Sequence, residues 1–192
     1  MTVKELFDQI GVQSFQSVKW GCPVPCMGQG IYIVSGSAKA DEENASPVAP
    51  LFDDAMIQRW IDRLPLFTLD GVKPTVESLK ERLSEFWYPK ENVLYIGMTT
   101  SSLQGRVSDY YYTPIGAKRP HSGGQWIKTL ANLEQMHVYY APARNQRRMN
   151  MLCWLIFSAR LESFPLPIWK DLMAGSGMGC KSSGDSQKVW IV

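Results

Sequence analysis

Asn92-Val93-Leu94-Tyr95-Ile96-Gly97-Met98-Thr99-Thr100-Ser101-Ser102, running on to Arg106 and Tyr110, is the stretch from which the rest of the chain can be read. Asn92 to Ile96 is apolar and rich in β-branched and aromatic side chains, the pattern of a buried strand. Gly97 is expected to end it. Thr99 to Ser102 then offer side-chain oxygens for the N-terminus of a helix. On that helix Arg106 and Tyr110 lie four residues apart and project from one face. A guanidinium and a phenol displayed beside a strand end suit a phosphodiester. Arginine stays protonated in proteins, and its planar fork matches phosphate oxygens.

A second short apolar strand stands upstream, Gly28-Gln29-Gly30-Ile31-Tyr32-Ile33-Val34, expected over residues 29–35. Together the tripeptides Gly30-Ile31-Tyr32 and Tyr95-Ile96-Gly97, followed by a helical arginine, resemble the two motifs that name the GIY-YIG nuclease family. The resemblance implies an α+β fold: a small three-stranded antiparallel sheet flanked by helices, in which the motif strands are neighbours. It implies a metal-dependent endonuclease that hydrolyses DNA, with a restriction or defence role because the chain is short and shows no separate DNA-binding domain. Tyr32, Tyr95, Arg106 and Tyr110 are the catalytic residues it implies. One divalent ion, Mg²⁺ or Mn²⁺, is the implied cofactor. Tyr32 would relay a proton from water once metal or arginine had depressed its phenol. The alternative reading of Tyr32 and Tyr95 is as ordinary core residues of strands, where tyrosine is common.

The chain has 192 residues, 45% of them hydrophobic and 20% charged, which suits one globular domain rather than a disordered segment. A net charge of +2 is too small to signal a nucleic-acid partner by itself, so any basic footprint must be local. No apolar run is long enough to span a membrane, and the early acids leave no signal-peptide core, so the expected location is the cytoplasm. Cys22-Pro23-Val24-Pro25-Cys26 is the one close cysteine pair; with His121 or His137 it could complete a zinc site, but its spacing fits a rigid loop better.

Leu6, Phe7 and Ile10 predict a short helix over 3–10, and residues 11–29 read as loop. Sixty-two residues, 33 to 94, separate the two tripeptides, and the region 36–90 reads as a helical insertion. Its first helix carries Met56, Ile57, Trp60, Ile61 and Leu64 on one stripe, with Asp53 and Asp54 at the start. Its second follows Thr75 and carries Leu79, Leu83 and Phe86. Trp60 and Trp87 are expected in the insertion's own core. Arg59, Arg63, Lys80 and Arg82 read first as a solvated face and second as a phosphate-contacting one.

After the motif helix, Ile115 to Gly124 forms a basic glycine-containing loop in which Lys118, Arg119 and His121 are candidates to hold a nucleic-acid backbone. Gln125 to Leu130 reads as a short amphipathic helix and Met136 to Tyr140 as a third strand, with His137 structural. Residues 145–162 read as the central core helix. The tail 174–192 is rich in glycine and serine, with Val189 to Val192 able to dock as an edge strand.

Two positions depart from the family pattern. A metal-holding glutamate is implied on the long helix, and Asn150 occupies that slot; a neutral amide ligates Mg²⁺ weakly and adds no charge. Met98 stands where relatives carry lysine. Three readings therefore remain: an active endonuclease, a catalytically silent DNA-binding relative, and a small interaction protein. DNA is the implied partner, and symmetric cleavage of a duplex would require a homodimer or successive nicks.

Overall fold

The computed structural model describes residues 1–43, 49–85, 87 and 91–143, together with the backbone of 190–191. Its architecture is α+β. Five strands form an antiparallel sheet: β1 (Gln16–Lys19), β2 (Gly30–Ser35), β3 (Val93–Thr99), β4 (His137–Pro142) and β5 (Trp190–Ile191), in the order β1-β4-β2-β3-β5. Four helices accompany them, α1 (Val3–Gln9), α2 (Asp54–Arg63), α3 (Val76–Ser84) and α4 (Leu103–Tyr112).

The expected three strands are thus extended at both edges. β1 falls inside the segment read as loop. Three of its four residues are exposed, so it has no apolar stripe and shows itself only by pairing with β4, Val18 opposite Val138. β5 pairs with β3 at Tyr95 and Ile96 and is the edge strand anticipated at the chain's end. Gly97 does not end β3, which runs on to Thr99 because Gly30 and Ile31 of β2 pair with Thr99 and Met98. Gln125–Thr129 is a 3₁₀ turn rather than an α-helix. The expected helix over 145–162, Asn150, Phe86 and the tail apart from 190–191 lie outside the described residues.

β2 sits at the centre and every one of its six residues is buried. Alternation along it sorts side chains to two faces. Ile31 and Ile33 meet Val3, Leu6, Phe7 and Ile10 from α1, along with Val93, Ile96 and Met98 of β3. Tyr32 and Val34 point the other way, toward Leu103, Val107 and Tyr110 of α4. On β3 the parity changes at a bulge: Tyr95 pairs with Val34 but Val93 pairs with Ser35, leaving Leu94 as the extra residue. An extra residue in one strand shifts the alternation by one. Val93 and Ile96 can therefore share the α1 face while Tyr95 and Gly97 face α4.

The helices start where the sequence provides caps. Thr2 with Glu5 and Thr75 with Ser78 form reciprocal caps for α1 and α3. Asp53 accepts from the Met56 amide at 3.1 Å, and Ser102 from the Gly105 amide at 3.2 Å.

The insertion has its own small core of Ile57, Trp60, Ile61, Phe67, Leu79 and Leu83, to which Ile115 of the basic loop is added. Trp60 lies there as expected. Trp87 does not; it packs with the α4-side cluster, edge-on to Trp126 with ring centroids 6.5 Å apart. Backbone hydrogen bonds fix the insertion to the following turn, Asp53 N to Thr129 O at 2.7 Å and Ala131 N to Leu51 O at 2.8 Å.

Candidate phosphate site under helix α4

Four of the residues singled out in the sequence come together on the α4 face. Tyr32 lies opposite Gly97 in the β2–β3 register, and a Cβ on Gly97 would fall within the Tyr32 ring. Glycine is needed there because the phenol crosses β3 directly above it. Tyr95, two residues earlier on the same face, brings its ring to 5.8 Å from that of Tyr32 and 5.1 Å from that of Tyr110. On α4 the buried positions Leu103, Arg106, Val107 and Tyr110 follow helical spacing, so Arg106 arrives under the sheet with its apolar neighbours.

The loop after α4 closes over this cluster. His121 stacks on Tyr110 with centroids 4.3 Å apart, and its Nε2 is 2.9 Å from the Tyr32 hydroxyl. The Tyr110 hydroxyl donates to Gly124 O at 2.8 Å, and Arg106 Nη1 donates to Pro120 O at 3.3 Å. Gln125 braces the loop through His121 O at 3.0 Å and the Gly116 amide at 3.0 Å. Gly124 has φ 59°, and a Cβ there would press on Tyr110 and Tyr95.

The loop places its three candidate residues differently. Lys118 and Arg119 are exposed, whereas His121 is wholly buried and serves Tyr32 instead of facing solvent. Its inward turn follows from the hydrogen bond and the stack, neither of which leaves a local signal. Lys128, not foreseen, is also buried. Its amine donates to the carbonyls of Thr113 and Tyr111 at the C-terminal end of α4 and lies 5.5 Å from the Tyr110 ring centroid. Lys128 lies in the 3₁₀ turn Gln125–Thr129, well beyond the end of α4, so no helical spacing announces the contact.

Burial sets the electrostatics. Tyr32, Tyr95, Tyr110 and His121 have no exposure and Arg106 has 7%. Loss of solvent pushes Tyr32 up to about 12, even though the Arg106 guanidinium pulls it down. Tyr95 and Tyr110 are pushed well above the usual phenol value, again mainly by burial. Arginine does depress the Tyr32 phenol, but desolvation outweighs the nearby charge and the net shift is upward. His121 is lowered to about 3 by burial, then by Arg106 and Lys128, and is neutral at pH 7. Lys128 is lowered to about 8 by desolvation.

Three buried polar atoms here have no hydrogen-bond partner among the described residues: Tyr95 Oη, Arg106 Nε and His121 Nδ1. Tyr95 Oη lies close enough to the Tyr32 hydroxyl to influence its ionisation without completing a bond of ordinary geometry. Orphaned buried groups of this kind cost stability and are uncommon. Arg106 thus keeps a spare N–H within a cluster of phenols that also holds the Lys128 amine.

A divalent ion such as Mg²⁺ needs anionic oxygen ligands. Among the described residues no group of three or more His, Cys, Asp or Glu side chains could hold a metal. The described donors of this cluster do not fit Mg²⁺ or Mn²⁺, and the implied ligand slot at Asn150 lies outside the described residues. Cys22 is exposed and Cys26 half-buried, both as free thiols, and the His121 nitrogen nearest a partner is taken by Tyr32, which leaves no basis for the zinc reading.

Among the described residues no helix is long and apolar enough to cross a membrane. Comparison with known proteins gave no match to a family model, to a curated protein or to a solved structure.

Proposed function

We propose that this chain is a GIY-YIG-like endonuclease that hydrolyses phosphodiester bonds of DNA. What carries the reading is the register that sets Tyr32 against Gly97, so that two tripeptides far apart in the chain deliver Tyr32 and Tyr95 to the side of the sheet on which α4 buries Arg106. In this reading a phosphate oxygen takes the place of the Pro120 carbonyl on Arg106, and the guanidinium neutralises charge as the pentavalent centre forms. Tyr32 orients the attacking water through its hydroxyl, and His121 fixes that hydroxyl from behind. Tyr95 and Tyr110 pack around Tyr32 and exclude solvent. The family resemblance implies a divalent ion, which would activate water when bound; the described residues of this cluster do not fit it.

A second reading, a DNA-binding relative without catalysis, is favoured by the same misfit and by the upward-shifted phenols. Nicking of a supercoiled plasmid in Mg²⁺ or Mn²⁺ separates the two. The nuclease reading expects wild-type nicking that falls about 100-fold in Arg106→Met, roughly 2.7 kcal/mol on the barrier. Arg106→Met is expected to melt no lower than wild type, since a buried cation with an unsatisfied N–H is replaced by an apolar chain of similar length. Equal nicking by wild type, Tyr32→Phe and Arg106→Met would remove the site assignment. Absence of nicking with retained, salt-sensitive DNA binding would select the second reading.

A further inference from the structure

The helical insertion raises the question of why sixty residues should stand between two neighbouring strands. Of its four conspicuous cations, Lys80 pairs with Asp54 at 2.8 Å, and Arg82 pairs with Asp70 at 2.5 Å and Glu85 at 3.3 Å. Arg59 and Arg63 are exposed and have no ion pair among the described residues. They stand four apart on α2, so both project from one side of it, about 6 Å apart at their Cβ atoms.

That side faces a groove of about 490 Å³ lined by Met56, Arg59, Asp62, Arg63, Pro114 and Ile115. The opposite wall is the loop that follows α4. Ile115 is anchored in the insertion core, and Gly116, at φ 76°, lies against Arg63 and Trp60 so closely that a Cβ would be 3.2 Å from Arg63 Cδ. Lys118 and Arg119 come next on this loop, exposed and likewise without an ion pair among the described residues. Pro120, the residue after them, is the one whose carbonyl holds Arg106. A single loop thus joins the groove to the phosphate site.

We infer that α2 and the loop 114–119 form a groove for the sugar-phosphate backbone of DNA, with Arg59 and Arg63 on one wall and Lys118 and Arg119 beyond the other. The inference rests on the nucleic-acid reading of the Arg106 site and assigns the insertion its part in it. The choice of occupant follows from charge: two cations without an ion pair among the described residues, Arg59 and Arg63, line the groove against one acid, Asp62, whose oxygen already accepts from Gln58 at 2.8 Å, and the exposed Lys118 and Arg119 follow on the loop of the far wall. A phosphate backbone supplies evenly spaced anions to such a wall, and contacts of this kind fix register without reading sequence. Arginine forks on α2 suit phosphate oxygens better than lysines would.

The test is binding of a 20-base-pair duplex to the full chain across a salt series. Each phosphate neutralised contributes about 0.9 to the slope of log affinity against log salt. Arg59→Gln/Arg63→Gln and, separately, Lys118→Gln/Arg119→Gln are each expected to lower the slope by roughly 1.8 and to weaken binding about tenfold or more at low salt. Lys4→Gln/Lys80→Gln removes two exposed lysines already paired with Asp8 and Asp54 and is expected to leave the slope unchanged. Equal losses in the control pair, an unchanged slope in the arginine pair, or equal binding of poly-glutamate would overturn the groove. Arg106→Met distinguishes the two proposals: it removes nicking while the groove's slope persists. If wild type neither nicks nor binds DNA, the Arg106 reading and the groove both fail; if it nicks while the groove variants bind normally, only the groove fails.

Discussion

The two faces of the central sheet are built on the same strands and have opposite characters. Toward α1, Ile31, Ile33, Ile96 and Met98 meet Leu6 and Phe7 in an apolar core with no buried charged side chain among the described residues. Toward α4, the alternate residues of the same strands are Tyr32 and Tyr95, and they meet Tyr110, Arg106, His121 and Lys128. The first face gains stability by removing apolar surface from water. The second buries two basic side chains, a neutral imidazole and three phenols, and leaves several of their polar atoms unsatisfied. A fold does not need that arrangement, and aliphatic residues would fill the volume at lower cost. The contrast gathers the buried basic side chains of the described residues on the α4 face.

Acid should break this symmetry most strongly. The folded pKa of His121, about 3, lies below its ordinary value of 6.5, so the unfolded chain binds the proton first as pH falls. Stability attributable to His121 is intact above about pH 6.5 and is lost progressively toward pH 3, by roughly 4 kcal/mol over that window. Denaturant melts of wild type and His121→Gln across the range measure it; the variant should lose less stability than wild type between the two limits. Parallel curves would mean that His121 is not held neutral by its surroundings.

Next in size is the apolar face. Leu6→Ala should cost about 3 kcal/mol in the same melts. Nicking or DNA affinity per folded molecule should not change, because Leu6 is on the far side of the sheet from Arg106. A loss of activity exceeding the loss of folded protein would show that the two faces are coupled.

The smallest effect is also the sharpest, since it divides two phenols of one cluster by sign. The Tyr95 hydroxyl has no partner among the described residues, so Tyr95→Phe should stabilise the fold by about 1 kcal/mol. The Tyr32 hydroxyl is bonded to His121 Nε2, so Tyr32→Phe should destabilise it by about 1 kcal/mol. Equal shifts of the same sign would place a partner on Tyr95 or remove the one on Tyr32.

Local pattern carried much of this architecture. The apolar runs around Tyr32 and Tyr95 predict strands, and they are the two central partners of the sheet. The caps at Asp53, Thr75 and Ser102 stand where side-chain oxygens precede helical stripes. The spacing of Arg106 and Tyr110 predicts a shared face, and both are buried on it. β1 escaped because an exposed edge strand buries nothing, and hence has no periodicity to show.

What the sequence determined by itself is the set of short-range structures, since caps, alternation and helical stripes depend on neighbours within a few residues. Only the tertiary structure decided that His121 turns inward, that Lys128 reaches the end of α4, that a bulge at Leu94 reverses the parity of β3, and that burial raises the phenols despite Arg106. Each of these depends on how completely water is removed by segments remote in the chain. Desolvation is a property of the assembled surroundings, and no spacing of residues records it.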